Sequence, residues 1–288
     1  MRVAILGDGL LGRTLADAFA ELNVLSSFTQ LLSHADIEVT NRESVKRALA
    51  DFDVAINTIA MHRLPACEAD PMLARLVNTE GARYVAETLP TVFISTDYVF
   101  NDGGPHDETL PGEDPRSVYG RTKLGGELAT LENGGIVVRV SALFGHHRSH
   151  KGPSFPEMVT SSFDTIRLPA DQRFSPTYAP DAATRISLLA RVLAHSEGAT
   201  DPLCVPIGHF VPQGIFHAAN AGTTTWVEFA AQICEVVPWQ RHIEATNAHD
   251  RIRPKNSAIR STRLPPLRHW RLALEAWAER RREELYVK

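Results

Sequence analysis

The sequence predicts an α/β protein with a doubly wound parallel sheet and a smaller C-terminal domain. Three observations predict it. Short apolar runs alternate with helically spaced segments through the first half of the chain. A glycine turn, Gly7-Asp8-Gly9-Leu10-Leu11-Gly12, follows the first apolar run directly. Beyond about residue 145 the alternation gives way to a texture rich in Gly, Pro and His.

Residues 3–6 (Val-Ala-Ile-Leu) are too short and apolar for an amphipathic helix and read as a strand. Residues 11–21 place apolar side chains at helical spacing. A short strand at 37–39 and a helix at 44–50 follow, then a strand at 54–59. Residues 71–89 read as one long helix and 91–95 as a strand. A helix at 121–131 and a strand at 136–140 complete the alternation. Parallel strands joined by helices place helices on both faces, with right-handed crossovers. In the second half a helix at 179–195 returns. Turns at Pro202, Pro206 and Pro212 lead to a strand at 214–218 and a helix at 226–236. A polar stretch around Arg253-Pro254-Lys255-Asn256-Ser257 precedes a final amphipathic helix at 267–285. The charged run 279–284 reads as a solvated helix face.

Composition bounds the chemistry. The 288 residues carry a formal net charge of −4, with 43% hydrophobic and 22% charged side chains. That is the balance of a globule with a real core and no basic face for nucleic acid. No segment approaches the length needed to span a bilayer, and the N-terminus lacks a signal peptide, so a cytoplasmic protein is expected. Three cysteines without a CxxC pair argue against a disulfide framework or zinc. His146, His147 and His150 cluster, but without further ligands in fixed geometry no metal is expected.

The glycine turn has a specific physical use. Its first glycine permits the tight turn, the second lets backbone approach a pyrophosphate, and the third lets helix and strand pack closely. The helix start then offers N–H groups to phosphate. Gly7, Gly9, Leu10, Leu11, Gly12 and Arg13 are thus candidate dinucleotide-binding residues of a Rossmann-type domain. An acid that would bind a ribose 2′-hydroxyl is absent from 24–33, and Arg13 can reach a 2′-phosphate. The cofactor is expected to be NADPH or NADH, with a lean to NADPH.

Ser95-Thr96-Asp97-Tyr98-Val99-Phe100 ends an apolar strand, where open α/β sheets bind ligands. Tyr119 and Lys123 fall one helical turn apart on one face. A free phenol, with a pKa near 10, exchanges protons poorly at neutral pH. An adjacent ammonium is expected to lower it, so that the phenol protonates a carbonyl oxygen while a nicotinamide delivers hydride. Thr96 can hold the same oxygen. Thr96, Tyr119 and Lys123 are the candidate catalytic residues.

These residues resemble the extended short-chain dehydrogenase/reductase family, and within it the dTDP-4-dehydrorhamnose reductases and their relatives. The likeness covers most of the chain. Ser95 to Phe100 is similar to that subfamily's strand motif, and Tyr119-Gly120-Arg121-Thr122-Lys123 with Gly126-Glu127 to its catalytic helix. Asp171-Gln172 and Ser175-Pro176-Thr177-Tyr178 with Asp181 resemble its segment leading back to the sheet. Arg253 to Ser257 resembles its late RPxxS motif. The resemblance implies an NAD(P)-binding domain of residues 1–145, with 170–200 returning to it. Residues 146–169 and 201–288 would form a substrate-binding domain for a nucleotide-sugar. It implies that Ser95, Asn57 and Ala60 lie along the cofactor, that Lys123 also holds the nicotinamide ribose, and that Asn78 is structural. Arg253 is the candidate for the sugar nucleotide's phosphates, since a guanidinium fork suits them. Asp97 and Tyr98 fall on the substrate side beside Thr96, Asp97 as a turn residue supporting it. Glu127 is read as a helix-face residue.

The sequence departs from the pattern in three places. The glycine turn is one residue shorter than the family's GxxGxxG. Thr58-Ile59-Ala60-Met61 followed by His62 replaces an Ala-Ala-Tyr-Thr stretch, making Met61 and His62 either a sugar-contacting patch or a plain exposed loop. Ala142 stands where a Trp is usual near the sugar. The reaction expected is reduction of a 4-keto nucleotide-sugar. An epimerase of the same fold, or a regulatory subunit resembling the methionine adenosyltransferase β subunit, are the alternatives, and a homodimer is the assembly left open.

Overall fold

A computed structural model describes residues 1–21, 28–147, 152–161, 164–194, 213–237, 242–247 and 252–286. In the first half, β1 (Arg2–Leu6), α1 (Leu10–Glu21), β2 (Phe28–Leu32), α2 (Arg42–Leu49) and β3 (Val54–Asn57) lead to α3 (Leu64–Ala69), α4 (Pro71–Arg75), a π-helical turn (Leu76–Glu80) and α5 (Gly81–Ala86). Then come β4 (Thr91–Thr96), a 3₁₀ turn (Asp97–Val99), α6 (Val118–Glu132) and β5 (Ile136–Val140). In the second half lie β6 (Leu143–Phe144), α7 (Phe155–Thr160), β7 (Ile166–Pro169), β8 (Arg173–Phe174), β9 (Thr177–Tyr178), α8 (Ala179–Ala194) and β10 (Gly214–His217). After these follow β11 (Asn220–Ala221), β12 (Thr224–Thr225), α9 (Trp226–Val236), β13 (Ile243–Thr246), β14 (Leu267–His269) and α10 (Trp270–Tyr286).

Six strands form one parallel sheet in the order β10-β5-β4-β3-β1-β2. The inner strands β3, β4 and β5 are buried along their whole length, which is why they read as unbroken apolar runs rather than alternating ones. The chain order reverses between β1 and β3, and the crevice outside the carboxyl ends of those strands is where such sheets take ligands. The helix α1 buries Leu11, Leu15 and Phe19 at helical spacing, and α8 packs beside it through Ala182, Ala183, Ile186 and Leu189. A separate core gathers Phe144, Phe174, Phe229 and Trp270 with Trp277. The apolar stripe of α10, Trp270, Ala273, Leu274, Trp277 and Ala278, follows the spacing of one buried helix face.

The structure corrects four local expectations. Residues 37–39 are not a strand; the second strand is β2, whose exposed and half-buried positions give it no continuous apolar run. The long helix expected at 71–89 is three pieces, because a π-helical turn interrupts it. The helix expected from 121 begins at Val118, where Ser117 Oγ accepts the Gly120 N–H at 3.0 Å as the cap. The last helix starts at Trp270, after residues 267–269 pair as β14. No helix of the described residues is long and apolar enough to cross a membrane, and no group of three or more His, Cys, Asp or Glu among them could hold a metal. His150 and Cys204 lie outside the described residues.

Candidate active site

The carboxyl ends of β1, β3, β4 and β5 open into a cleft of about 1630 Å³. One end is the glycine turn. Gly7 has φ +99°, and a Cβ there would lie 2.8 Å from Thr58 Oγ1. A Cβ on Gly12 would stand 1.8 Å from the Gly7 carbonyl oxygen, so α1 can approach the turn only with glycine there. At Gly9 a Cβ would meet nothing within 4 Å, leaving backbone open to the cleft. The first turn of α1 carries no acid. Gly7, Gly9, Leu10, Leu11 and Ala60 line the cleft, and so does Ser95, whose buried Oγ has no hydrogen-bond partner. A glycine cradle, an acid-free helix start and an orphaned hydroxyl suit a dinucleotide. Gly12→Ala should destabilise the fold by about 1–3 kcal/mol through overpacking and weaken NADPH binding in a fluorescence titration. An unchanged affinity would contradict this account of the turn.

Three expected cofactor residues do not line the cleft. Gly12 is a packing residue. Asn57 is buried, and its Oδ1 accepts the Ile59 N–H at 3.0 Å, which shapes the turn after β3. Arg13 folds back on the glycine turn, donating to the Asp8 carbonyl at 2.8 Å and its carboxylate at 3.3 Å. The guanidinium expected to reach for a 2′-phosphate is thus engaged with Asp8.

The middle of the cleft holds Ser95, Thr96, Asp97, Tyr98, Tyr119 and Lys123. The capped start of α6 fixes Tyr119 and Lys123, and Gly120 lets the helix pass close to the Tyr98 carbonyl, 2.2 Å from where a Cβ would sit. The π-helical turn serves the same region. It presents Asn78, whose amide bonds Met61 N and O at 2.8 and 2.9 Å and Thr122 Oγ1 at 2.9 Å. The Met61 loop is thereby tied to α6, and both Met61 and His62 line the cleft.

The electrostatics differ from the expectation. Burial pushes the Tyr119 phenol up from its ordinary value; a hydrogen bond with Thr96 opposes this and the Asp97 charge adds to it. Lys123 is engaged with other groups. Its Nζ donates to the Ile94 carbonyl at 2.6 Å and sits 3.8 Å from the Phe93 ring centre. Burial brings the ammonium down to about 7, against the attraction of Glu127. The helical spacing does put both groups in one cleft, but an ammonium so stripped of water is a weak source of charge. A consequence follows for stability. Between pH 7 and about 10 the unfolded chain keeps the Lys123 proton that the folded chain releases, so stability rises with pH there, by up to about 1.4 kcal/mol per pH unit. Lys123→Met should flatten that rise and resist urea better than the parent at pH 7. Equal slopes in the two proteins would contradict the burial reading.

The far wall belongs to the second core. Ala142 lines the cleft with φ +39°, a left-handed conformation that an alanine adopts under strain. Arg253 and Ser257 line it too. Sequence reasoning missed Phe155, Phe174, Trp226 and Arg173 on this wall. Phe174 and Phe155 pack against Trp226 with tilted rings, at 4.1 and 4.8 Å between ring centres. Trp226 opens a helix whose Thr225–Glu228 capping box is legible in the sequence, but nothing in the spacing showed that the helix start faces the cleft. His146 turns to Tyr178 OH at 3.1 Å and stacks on Trp277, while His147 meets Asp17 at 2.5 Å.

Comparisons with known proteins follow this architecture. The family model described as the RmlD substrate binding domain matches residues 1–283. The chain is 32% identical to a dTDP-4-dehydrorhamnose reductase of Streptomyces griseus, over 93% of this chain and 89% of that protein. It is 34% identical to a probable dTDP-4,6-dihydroxy-2-methyloxan-3-one 4-ketoreductase of Streptomyces antibioticus, over 95% and 93%. Among solved structures it is similar to a Bacillus anthracis dTDP-4-dehydrorhamnose reductase in complex with NADP, with a TM-score of 0.81 at 26% identity, covering 97% of this chain and 99% of that one.

Proposed function

The chain belongs to the RmlD substrate binding domain family, and from that premise we propose that Tyr119, Thr96 and Lys123 carry out the reduction of a 4-keto group on a dTDP-sugar. The protein is an NADP-dependent oxidoreductase that reduces a keto group of a nucleotide-sugar. The observation that supports this proposal is the meeting of three features in one cleft: the glycine turn, Thr96 with Tyr119 and Lys123, and an aromatic wall with Arg173 and Arg253.

Bound NADPH supplies hydride to the carbonyl carbon. This chain's residues do the rest. Gly7, Gly9, Leu10 and Leu11 offer backbone to the pyrophosphate, and Ser95 Oγ offers a hydroxyl to the cofactor. The Tyr119 O–H donates its proton to the substrate's carbonyl oxygen. A phenol held up by burial gives that proton only where charge develops on the oxygen, which ties proton transfer to reduction. Thr96 Oγ1 holds the same oxygen. Lys123, at about 7, is poised to gain a proton when an acceptor comes within reach. Phe155, Phe174 and Trp226 suit the base, and Arg173 with Arg253 the diphosphate. The cofactor-binding part is residues 1–145 with α8, a division that the packing of α8 on α1 supports. The strand β10, expected in the substrate-binding part, pairs with β5 in the main sheet and goes with the cofactor-binding part. Phe174 and Tyr178, expected in the returning segment, pack in the second core with the substrate-binding part.

The test is NADPH oxidation followed at its near-ultraviolet absorbance with a panel of dTDP-4-keto sugars and their UDP counterparts. Turnover confined to dTDP-4-keto sugars is the expected result. Tight NADPH binding without turnover on any of them would overturn it.

A further inference from the structure

Asp97 is buried at the floor of the cleft with three hydroxyls directed at it. Its Oδ2 accepts from Ser257 Oγ at 2.6 Å and Ser141 Oγ at 2.8 Å, and its Oδ1 from Thr96 Oγ1 at 3.2 Å. The three donors come from three places: the end of β4, the residue after β5, and the strap that carries Arg253. Each hydroxyl has one proton. Ser141 Oγ accepts the Ser175 N–H at 3.3 Å, so its proton is available to Asp97. Thr96 Oγ1 accepts the Tyr98 N–H at 3.3 Å and lines the cleft with Tyr119. With its own proton on Asp97, Thr96 has only acceptor capacity left for a group in the cleft.

A carbonyl oxygen has no proton to offer. To hold one, Thr96 must donate, and Asp97 is the competing acceptor. We propose that Asp97 is a positioning residue that sets the direction of the Thr96 hydroxyl: as a carboxylate it keeps the Thr96 proton, and as a carboxylic acid it releases Thr96 to donate to the substrate's carbonyl oxygen. This rests on the assignment of Thr96 and Tyr119 above. The change needs one solvent proton on an Asp97 oxygen; no other covalent bond forms or breaks, and the hydrogen bonds re-aim. Ser257 sits on the strap beside Arg253, so seating of that strap sets how firmly the carboxylate form is held.

Burial raises the Asp97 carboxyl to about 6, with the Ser257, Ser141 and Thr96 hydrogen bonds opposing it. The exchange therefore falls in the range where an enzyme works. The titratable and charged groups on the elements packed about Asp97 are Tyr98 of the 3₁₀ turn, Tyr119 and Lys123 of α6, Arg139 of β5, Arg173 of β8, and Arg253 and Lys255 of the strap. Arg139 is committed to Glu127, and Lys123 donates to Ile94; none of these cations is among the causes of the Asp97 shift.

The experiment is the pH profile of kcat/KM for keto reduction in the parent, Asp97→Asn and Ser257→Ala proteins. In the parent, activity should fall on the order of tenfold from about pH 5 to about pH 8, the worth of one hydrogen bond to a developing charge, and then level off. Asp97→Asn should lose that limb. Ser257→Ala removes a donor to the carboxylate, so its limb should move to higher pH, and Ser257→Thr should restore it. Infrared difference spectra of the parent should show a protonated carboxyl appearing with the same inflection and absent from Asp97→Asn. Superimposable profiles for parent and Asp97→Asn would overturn the proposal. If Asp97→Asn fails to fold, an unmoved limb in Ser257→Ala would do so. Failure of the underlying reading is distinct, because it would show as retained activity in Tyr119→Phe.

Discussion

Tyr119→Phe should lose about 10²–10⁴-fold in kcat, the usual contribution of a positioned general acid, while binding NADPH as the parent does. The substitution removes one oxygen and leaves the ring. That ring packs edge-on against Tyr98 at 6.1 Å and joins the small apolar cluster of Cys67, Ala74, Val118 and Met61. Phenylalanine keeps those contacts, so the fold should melt within a few degrees of the parent. Single-turnover reduction separates the effects, because it reports chemistry apart from product release. Full activity in Tyr119→Phe would remove the phenol from the mechanism.

The largest expected effect on stability lies behind the catalytic helix. Glu127→Ala should destabilise the protein by about 3–5 kcal/mol, because it strands a buried guanidinium. Glu127 on α6 takes both arms of Arg139 on β5, at 2.8 and 2.7 Å, and the two side chains are 1% and 0% exposed. Arg139 also donates to the Leu110 carbonyl at 3.0 Å and lies 4.7 Å from the Phe100 ring centre. Without the carboxylate its charge stays in a dry interior with one carbonyl for company. A double variant, Glu127→Leu with Arg139→Met, should recover much of the loss, since two apolar side chains leave no unpaired charge. Urea unfolding measures both, and a single variant within 1 kcal/mol of the parent would contradict the pairing. The same carboxylate helps keep Lys123 protonated, so Glu127→Ala should also push the lysine further toward its neutral form.

Glu127 shows where reading the sequence stopped short. Four residues after Lys123, it reads from the sequence only as a helix-face residue. Only the packing of α6 on the sheet, which buries it against Arg139 of β5, shows that it faces inward. Asp97 is similar: its place after Thr96 was legible, but its three hydroxyl donors come from residues 96, 141 and 257 and could not be counted from local spacing. Arg13 is a third case. Its position after the glycines suggests a phosphate ligand, and the structure shows its guanidinium turned to Asp8.

The sequence by itself determined the parallel α/β layout, the strand–glycine–helix turn at the N-terminus and the placing of Tyr119 and Lys123 on one helix face. Those features rest on short unbroken apolar runs, on the 3.6-residue helical period and on the steric freedom of glycine, which are local in the chain. The tertiary structure alone decided which charges are buried and which way each hydroxyl donates. It alone brought the aromatic wall of Phe155, Phe174 and Trp226 into one cleft with Tyr119 and Lys123. Burial and hydrogen-bond direction depend on atoms distant in the chain, and a pKa follows what surrounds the group rather than its sequence neighbours.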